Sequence, residues 1–170
     1  MIMIGITGTL GAGKGTIVDC LKERGFSHFS ARDFLVKEIE KRGLPINRDS
    51  MTSTANAIRR EYGNDYIIRS MMDQALKEGK NCAIESVRNH EEVLLMRKVS
   101  GFYLFSVDAD LKIRYERIKL RKSETDNVDF ETFVANEQRE MNPQNGKSQD
   151  IGSCMAMADY RFENNSDIAA

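Results

Sequence analysis

The residues best suited to chemistry lie near the start of the sequence, in Gly5–Thr16, which reads GITGTLGAGKGT. Gly8, Gly13 and Lys14 fit the spacing G-x-x-x-x-G-K, and the hydroxyl of Thr16 follows one position late, after Gly15. A loop of this kind turns successive backbone N–H groups inward around phosphate oxygens, and the helix behind it adds its positive end. The spacing therefore predicts a phosphate-binding loop between a strand and a helix.

A lysine in the first turn of a helix opposes the helix dipole, so its position is best explained if it reaches an anion. Glycine allows the positive φ and the close backbone approach that such a loop needs. A dinucleotide fingerprint is the competing interpretation, with Gly11-x-Gly13 as its start and Asp33 about twenty residues on; the lysine and Thr16 argue against it. The residues expected to bind ATP are Gly8, Gly11, Ala12, Gly13, Lys14, Gly15 and Thr16.

The composition is that of an ordinary globular domain. The 170 residues are 41% hydrophobic and 30% charged, with a net charge of −1, so no basic field is available for nucleic acid or an anionic membrane. No apolar run is long enough to span a bilayer, and MIMIGI lacks the features of a signal peptide. Three separated cysteines and two isolated histidines form no metal or redox spacing. We therefore expect a cytoplasmic protein.

Strand and helix patterns alternate along the chain, and the strands are almost continuously apolar. This order predicts an α/β fold with a parallel sheet covered on both sides, in one domain over 1–170. We expect the closing helix of such a sheet to be shortened or to lie beyond this sequence. Strands are expected at 1–7, 26–30, 81–86, 101–109 and 159–164, and helices at 16–24, 30–42, 49–62, 64–78, 89–98, 110–122, 129–141 and 150–158.

Two classes of phosphate-loop protein leave signatures that this sequence lacks. The guanine-binding N-K-x-D of a GTPase switch is absent, and CAIES puts the acid Glu85 after three apolar residues, where a motor-type ATPase would have four. A small phosphotransferase instead needs a second anion site for its acceptor and mobile arginines.

Several further stretches support that third class. GTLGAGKGT resembles the phosphate loop of adenylate kinases, FSARDFLVKEIEKRGL resembles their T-G-D-M-L-R helix, and IESVR resembles their D-G-x-P-R. KRGL, IRREYG, KIRYERI, EQREM and ADYRFEN occur in the order found in archaeal adenylate-kinase-related, or dephospho-CoA-kinase-like, proteins. The chain thus resembles the nucleoside monophosphate kinase family of phosphate-loop proteins, and especially that archaeal group.

The resemblance implies a five-stranded parallel sheet with a helical acceptor-binding insert at about 31–79 and a short lid at about 121–141. It also implies ATP and Mg²⁺ as cofactors, with Thr16 and Glu85 near the metal. Three departures weigh against AMP itself as the acceptor: Val36 replaces an arginine, Ala31-Arg32 replaces Thr-Gly, and Ser86-Val87 replaces Gly-x-Pro.

Four residues outside the loop are candidates for acceptor binding or catalysis. Asp33 could orient an acceptor hydroxyl or a metal-bound water, or simply complete a helix cap with Ser30. Glu85 stands at the carboxyl end of a strand and could hold Mg²⁺ through water. Arg88 could clamp an acceptor phosphate, or pair with a neighbouring acid, Glu85 or Glu91. Arg59 could replace the arginine lost at position 36.

The expected lid lies between two helices. Arg114, Arg117 and Arg121 fall on one face of the helix from Asp110, and the polar loop Ser123–Asp129 follows. We expect Arg121 and Arg139, with Arg117 in reserve, to close on the β- and γ-phosphates; a solvated basic face is the alternative.

These patterns together predict an enzyme that moves the γ-phosphate of ATP to a nucleoside or deoxynucleoside monophosphate. One alternative is phosphorylation of a ribose hydroxyl, as by a dephospho-CoA kinase, with Asp33 as the base. Another is a regulatory nucleotide-binding protein without turnover. The expected partners are small nucleotides rather than nucleic acid or membrane, and the expected state is a monomer or small homo-oligomer.

Overall fold

Five parallel strands form the centre of the molecule. The computed structural model describes residues 1–122, 127–142 and 150–166. The strands are β1 (Met3–Gly8), β2 (Ser27–Ser30), β3 (Cys82–Glu85), β4 (Phe102–Asp108) and β5 (Tyr160–Glu163), in the spatial order β2-β3-β1-β4-β5. Every neighbouring pair is parallel, so the predicted five-stranded parallel sheet is confirmed.

The helices follow the strands closely in the predicted order. They are α1 (Lys14–Glu23), α2 (Ala31–Lys41), α3 (Arg48–Tyr62), α4 (Tyr66–Glu78), α5 (His90–Met96), α6 (Leu111–Arg121), α7 (Phe130–Met141) and α8 (Ile151–Ala156). Three starts differ from expectation beyond the capping residue. Helix α4 begins two residues late, at Tyr66. Helix α1 begins two residues early, directly after Gly13, and α3 begins at Arg48 because Asn47 Oδ1 accepts the Ser50 N–H at 2.9 Å.

Apolar side chains leave the central strand β1 toward both faces of the sheet. Met3 packs into a large core with α2, α3, α4, α5 and α8, whereas Ile4 and Ile6 pack into a smaller core under α1. All six residues of β1 are buried. This two-sided burial explains the continuous apolar pattern of the strand, and it holds β1 rigidly beneath the loop that follows it.

The carboxyl ends of the parallel strands meet at one edge of the sheet. There β1 leads into the glycine loop, β3 ends at Glu85, and β4 ends at Asp108. Strand β3 lies on one side of β1 and β4 lies on the other. The connections that leave the sheet at this edge therefore diverge and leave a crevice, as is usual in open α/β sheets. Among the described residues, no helix is both long and apolar enough to cross a bilayer.

Candidate active site

The glycine loop has the backbone conformation that its spacing predicts. Gly8, Gly11 and Gly13 all have positive φ, and Gly13 caps α1 in the left-handed region. A Cβ on Gly8 would lie 2.1 Å from the Val107 carbonyl oxygen, so no other residue fits there. Gly11 is equally confined, against the Arg114 carbonyl oxygen at 2.6 Å. The loop is therefore built against β4 and α6 rather than being a surface turn.

Lys14 lies inside this loop. Its Nζ donates to the carbonyl oxygens of Gly8 at 3.0 Å and Thr9 at 2.7 Å. Burial, together with the positive charge of Arg88, lowers the pKa of Lys14 to about 7. A phosphate group beside Nζ would reverse that shift, because an adjacent anion favours the charged amine.

A cleft of about 820 Å³ extends from the loop toward α2 and α3. The end of the cleft at the glycine loop, called the donor end below, is lined by Gly11, Gly13, Lys14, Gly15 and Thr16. Its other end combines basic side chains with an apolar wall formed by Leu35, Met51, Ala55, Ile67 and Ile68. One cavity therefore joins a phosphate loop to a second polar region and to a surface suited to a flat ring.

Arg59 is the most unusual residue of that second region. Only 7% of it is exposed, and its Nε and Nη1 atoms have no hydrogen-bond partner among the described residues. Burial lowers the pKa of the guanidinium, which Glu92 partly offsets. A buried guanidinium with unpaired donors is costly unless an anion binds it. The neighbouring Arg60 is exposed and does not line the cleft.

Glu92 is a buried acid close to Arg59 and Arg88. It is 1% exposed, and its Oε2 accepts the backbone N–H groups of Arg88 at 2.9 Å and Asn89 at 3.1 Å. Burial raises the pKa of Glu92 to about 7, against the opposing effect of Arg59. The predicted capping box of Asn89 and Glu92 is confirmed. Sequence reasoning had no signal that its acid would also line the cleft.

Arg88 and Arg48 meet at a shared carboxylate from α7. Glu140 Oε1 accepts from Arg48 Nη2 at 2.8 Å, and its Oε2 lies 3.5 Å from Arg88 Nη1. All three line the cleft. The sequence pointed to Arg88 but not to Arg48, nor to Glu140 as its partner. Glu140 lies in EQREM, but 92 positions separate it from Arg48 and no spacing links the two.

Glu85 and Thr16 both line the cleft near Lys14. Glu85 pairs with His28 rather than with Arg88: the His28 Nε2 lies 3.1 Å from its Oε2 and lowers the pKa of the carboxyl. Within the described part of the chain, no three acidic, histidine or cysteine side chains group closely enough to hold a metal by themselves. A hydroxyl and one carboxylate do fit Mg²⁺, which usually keeps several waters beside substrate phosphates.

The three arginines of α6 have different surroundings. Arg114 is 4% exposed; its Nη2 donates to Glu137 Oε1 at 2.7 Å, and its Nε donates to the Ala109 carbonyl oxygen at 2.7 Å. Arg117 and Arg121 line the cleft, and Arg117 Nη1 is buried without a hydrogen-bond partner among the described residues. Helix α6 includes all three arginines at the expected spacing, but Arg114 is buried and paired with Glu137, so it does not line the cleft beside the other two.

Two predicted catalytic residues do not line the cleft. Arg139 is exposed on α7 and donates to Asn136 Oδ1. Asp33 is exposed near the mouth, and its backbone N–H donates to Ser30 Oγ at 3.3 Å, which confirms the cap. Their catalytic roles stay predictions, as does the lid, since residues 123–126 of its loop lie outside the described residues.

The two asparagines that follow β5 contact the glycine loop and the start of α6. Asn164 Nδ2 donates to the Ala12 carbonyl oxygen at 2.9 Å, and Asn165 Oδ1 accepts the Asp110 N–H at 2.7 Å. These contacts join the carboxyl-terminal segment to the donor end of the cleft.

Comparison with known proteins agrees with this geometry. A family model described as AAA domain matches residues 4–142. The UPF0200 protein of Methanocaldococcus jannaschii is 32% identical over 163 residues, covering 94% of this chain and 80% of that protein. The chain belongs to the AAA-domain family and to the UPF0200 proteins. A second UPF0200 relative, from Methanococcus vannielii, is 30% identical and covers 94% and 85% of the two chains.

Solved structures similar to this UPF0200 protein share its fold at low sequence identity. TT1252 from Thermus thermophilus has a TM-score of 0.66 at 17% identity, covering 98% of this chain and 90% of that one. Shikimate kinase from Bacteroides thetaiotaomicron gives 0.60 at 14%, covering 96% and 86%, and dephospho-CoA kinase from Campylobacter jejuni gives 0.57 at 17%, covering 98% and 90%. The fold is thus that of the phosphate-loop kinases.

Proposed function

We propose that this UPF0200 protein is an ATP-dependent phosphotransferase that moves the γ-phosphate to a nucleoside or deoxynucleoside monophosphate. The observation that carries the proposal is Arg59, a buried guanidinium with two unpaired nitrogens, in the same cleft as the phosphate loop. A second anion-binding region in the same cleft as the first is what transfer between two phosphorylated molecules requires.

The charges favour a phosphate-bearing acceptor. Arg48, Arg59 and Arg88 supply three positive charges, while the facing acids are Glu140 and Glu92, and the pKa of Glu92 is about 7. A dianionic phosphate balances this excess better than a neutral hydroxyl compound does. The apolar wall of Leu35, Met51 and Ile68 offers a surface for a nucleobase.

The transfer needs little acid–base help from the protein. An oxygen of the acceptor phosphate, already ionised near pH 7, forms a bond to the γ-phosphorus while the bond from that phosphorus to the β,γ-bridging oxygen breaks. Lys14, Arg88 and Arg121 all line the cleft, where they would neutralise charge on the phosphates as it develops. Thr16 and Glu85 would hold Mg²⁺, which supplies further charge neutralisation when bound.

The exposed position of Asp33 bears on the alternative chemistry. Phosphorylation of a ribose hydroxyl benefits from a base at the acceptor oxygen, and Asp33 is not a lining residue of the cleft. A phosphate acceptor needs no such base. The structure therefore favours the monophosphate over the dephospho-CoA type of acceptor.

An acceptor panel tests the proposal. The purified protein is mixed with ATP, Mg²⁺ and one of the common ribo- and deoxyribonucleoside monophosphates or dephospho-CoA, and ADP release is followed. We expect acceptor-dependent ADP from at least one monophosphate, and near-complete loss of it in Lys14→Ala. Turnover with dephospho-CoA alone would replace the proposed acceptor class. ATP binding without acceptor-dependent ADP would instead indicate a regulatory protein.

A further inference from the structure

A carboxylate of the protein occupies the region where an acceptor phosphate is expected. Glu140, in the last turn of α7, contacts Arg48 from the start of α3 and Arg88 from the segment after β3. About a quarter of each arginine side chain and a fifth of the Glu140 side chain are exposed, toward the cleft that all three line. The contacts are thus within reach of a ligand that enters the cleft.

The arrangement matches the way proteins bind phosphate. Two oxygens of one anionic group contact two guanidinium groups that belong to separate elements. Glu140 has one charge and two oxygens, and it leaves Nε and Nη1 of Arg59 unpaired in the same cleft. A phosphate has up to two charges and three terminal oxygens, so it can satisfy more of this arginine cluster than Glu140 does.

We propose that Glu140 is a specificity-determining residue that an acceptor phosphate must displace from Arg48 and Arg88. The proposal rests on the proposed function and adds to it the charge that an acceptor must bring. Because Glu140 belongs to the same chain, it competes with a ligand for these arginines at a high effective concentration, whatever the solution contains. A neutral ligand replaces neither ion pair, and a dianion replaces both. Glu140 thereby sets the charge that an anion must carry: a group with a single charge gains no more from these arginines than Glu140 does, whereas a dianionic phosphate gains more.

The direct test measures anion binding with Glu140→Gln. The donor site is first filled with ADP and Mg²⁺, and inorganic phosphate is then titrated and followed by calorimetry. Glutamine keeps the size of the side chain but removes its charge, so we expect phosphate to bind about fivefold more tightly than in the wild type. Glu131→Gln, at an exposed position on the same helix, is the matched control and should leave the affinity unchanged.

An Arg48 variant tests whether the gain in phosphate affinity comes from the release of Arg48 and Arg88. In an Arg48→Met background, Glu140→Gln should improve phosphate binding by much less than fivefold, because one of the two contested guanidinium groups is gone. Equal or weaker phosphate binding in Glu140→Gln than in the wild type would overturn the proposal. An equal gain with and without Arg48 would overturn it as well, since it would indicate a general charge effect.

A selectivity measurement separates this inference from the proposed function. With AMP and adenosine as probes, Glu140→Gln should tighten the binding of AMP and leave that of adenosine unchanged, because only AMP competes with Glu140 for Arg48 and Arg88. An equal gain for adenosine would show that Glu140 acts only by steric blockage and would overturn the proposal. If a monophosphate is turned over but Glu140→Gln leaves phosphate affinity unchanged, the function stands and the role of Glu140 is refuted. If phosphate binding tightens as expected and no monophosphate is turned over, Glu140 is displaceable and the acceptor class is wrong.

Discussion

Arg59 and Arg60 are adjacent arginines with opposite surroundings. Arg59 is buried on the cleft side of α3 beside Ala55, and Arg60 faces solvent. The free energy of holding a buried, incompletely paired guanidinium is unfavourable in the absence of an anion. Arg59 therefore has the character of a residue kept for binding rather than for stability.

Replacing Arg59 by methionine should separate these two roles. We expect the KM for the acceptor to rise at least about tenfold, because a charge-assisted contact to phosphate is lost. The free energy of unfolding should fall by no more than about 1 kcal/mol, or should rise, because a buried charge is removed. Steady-state kinetics and urea unfolding measure the two effects. Arg60→Met is the control and should change neither; a large loss of stability in Arg59→Met would mean that Arg59 is structural.

The lowered pKa of Lys14 implies that nucleotide binding at the donor end of the cleft takes up a proton. Burial and the nearby Arg88 lower the pKa of this amine to about 7, from an ordinary value of 10.5. At pH 8 the lysine is therefore mostly neutral in the protein without nucleotide, and bound phosphates should restore its charge.

Binding of ADP at pH 8 should consequently take up a proton. Calorimetry in buffers of different ionisation enthalpy should give an uptake approaching one proton per site at pH 8 and much less at pH 6, where Lys14 is charged both before and after binding. Lys14→Met should abolish the pH 8 uptake. Proton release at pH 8, or uptake that persists in Lys14→Met, would contradict the assignment.

At the scale of elements, one buried ion pair connects α6, α7 and the glycine loop. Arg114 pairs with Glu137 and also donates from Nη1 to the Leu10 carbonyl oxygen at 3.3 Å. The Arg114 side chain also lies over the Phe133 ring, with its guanidinium carbon 5.8 Å from the centroid. Glu137 and Glu140 lie one turn apart on α7, so one acid of this helix holds the arginine that bonds the loop and the other contacts Arg48 and Arg88.

Loss of either partner of this pair should destabilise the fold. Arg114→Met or Glu137→Leu should each lower the free energy of unfolding by about 3 kcal/mol, because the remaining charge loses its main partner. Asp108, whose Oδ1 lies 3.7 Å from Arg114 Nε, compensates Arg114 only in part. The double variant should lose clearly less than the sum of the two single losses. Urea unfolding measures these values. Lys119→Met removes the exposed pair of Lys119 with Glu116 on the same helix and should cost less than about 1 kcal/mol; additive losses at Arg114 and Glu137 would refute the coupling.

At the scale of the molecule, the cleft lies between a rigid sheet edge and the helices α2 and α3. The strands β1 and β4 are held by the core on both faces, whereas α2 and α3 meet the cleft through side chains that include Leu35 and Arg59. The acceptor insert at about 31–79 stays a prediction as a separate unit, as does closure of a lid at about 121–141.

A ligand that fills both ends of the cleft should slow hydrogen exchange beyond its donor end. We expect two nucleosides joined by five phosphates to slow amide exchange in α2 and α3 about tenfold, with β1 and β4 unchanged because they are already protected. ADP alone should protect only the glycine loop and α6. The same pattern with ADP and with the bridging ligand would show that α2 and α3 take no part in acceptor binding.

The sequence by itself determined the glycine loop, the element order and the parallel sheet. These features depend on residues close together in the chain: a loop is built from consecutive backbone groups, and apolar periodicity is a local property. The Ser30 and Asn89 caps were predictable for the same reason, since each joins residues two or three positions apart. The start of α3 was missed because Asp49 and Ser50, two and three positions after Asn47, are also typical N-cap residues and were expected to cap this helix.

The tertiary structure alone decided the acceptor side of the site. Arg48, Arg88 and Glu140 lie in α3, in the segment after β3 and in α7, and they converge only in the folded chain, so no spacing in the sequence encodes their contact. The arginines of α6 show the same limit. Helical spacing put Arg114, Arg117 and Arg121 on one face, but the presence of Glu137 opposite Arg114 made that residue a buried support for the loop. The sequence shows which kind of group a charged side chain can bind, whereas the packing of distant elements decides which partner it contacts.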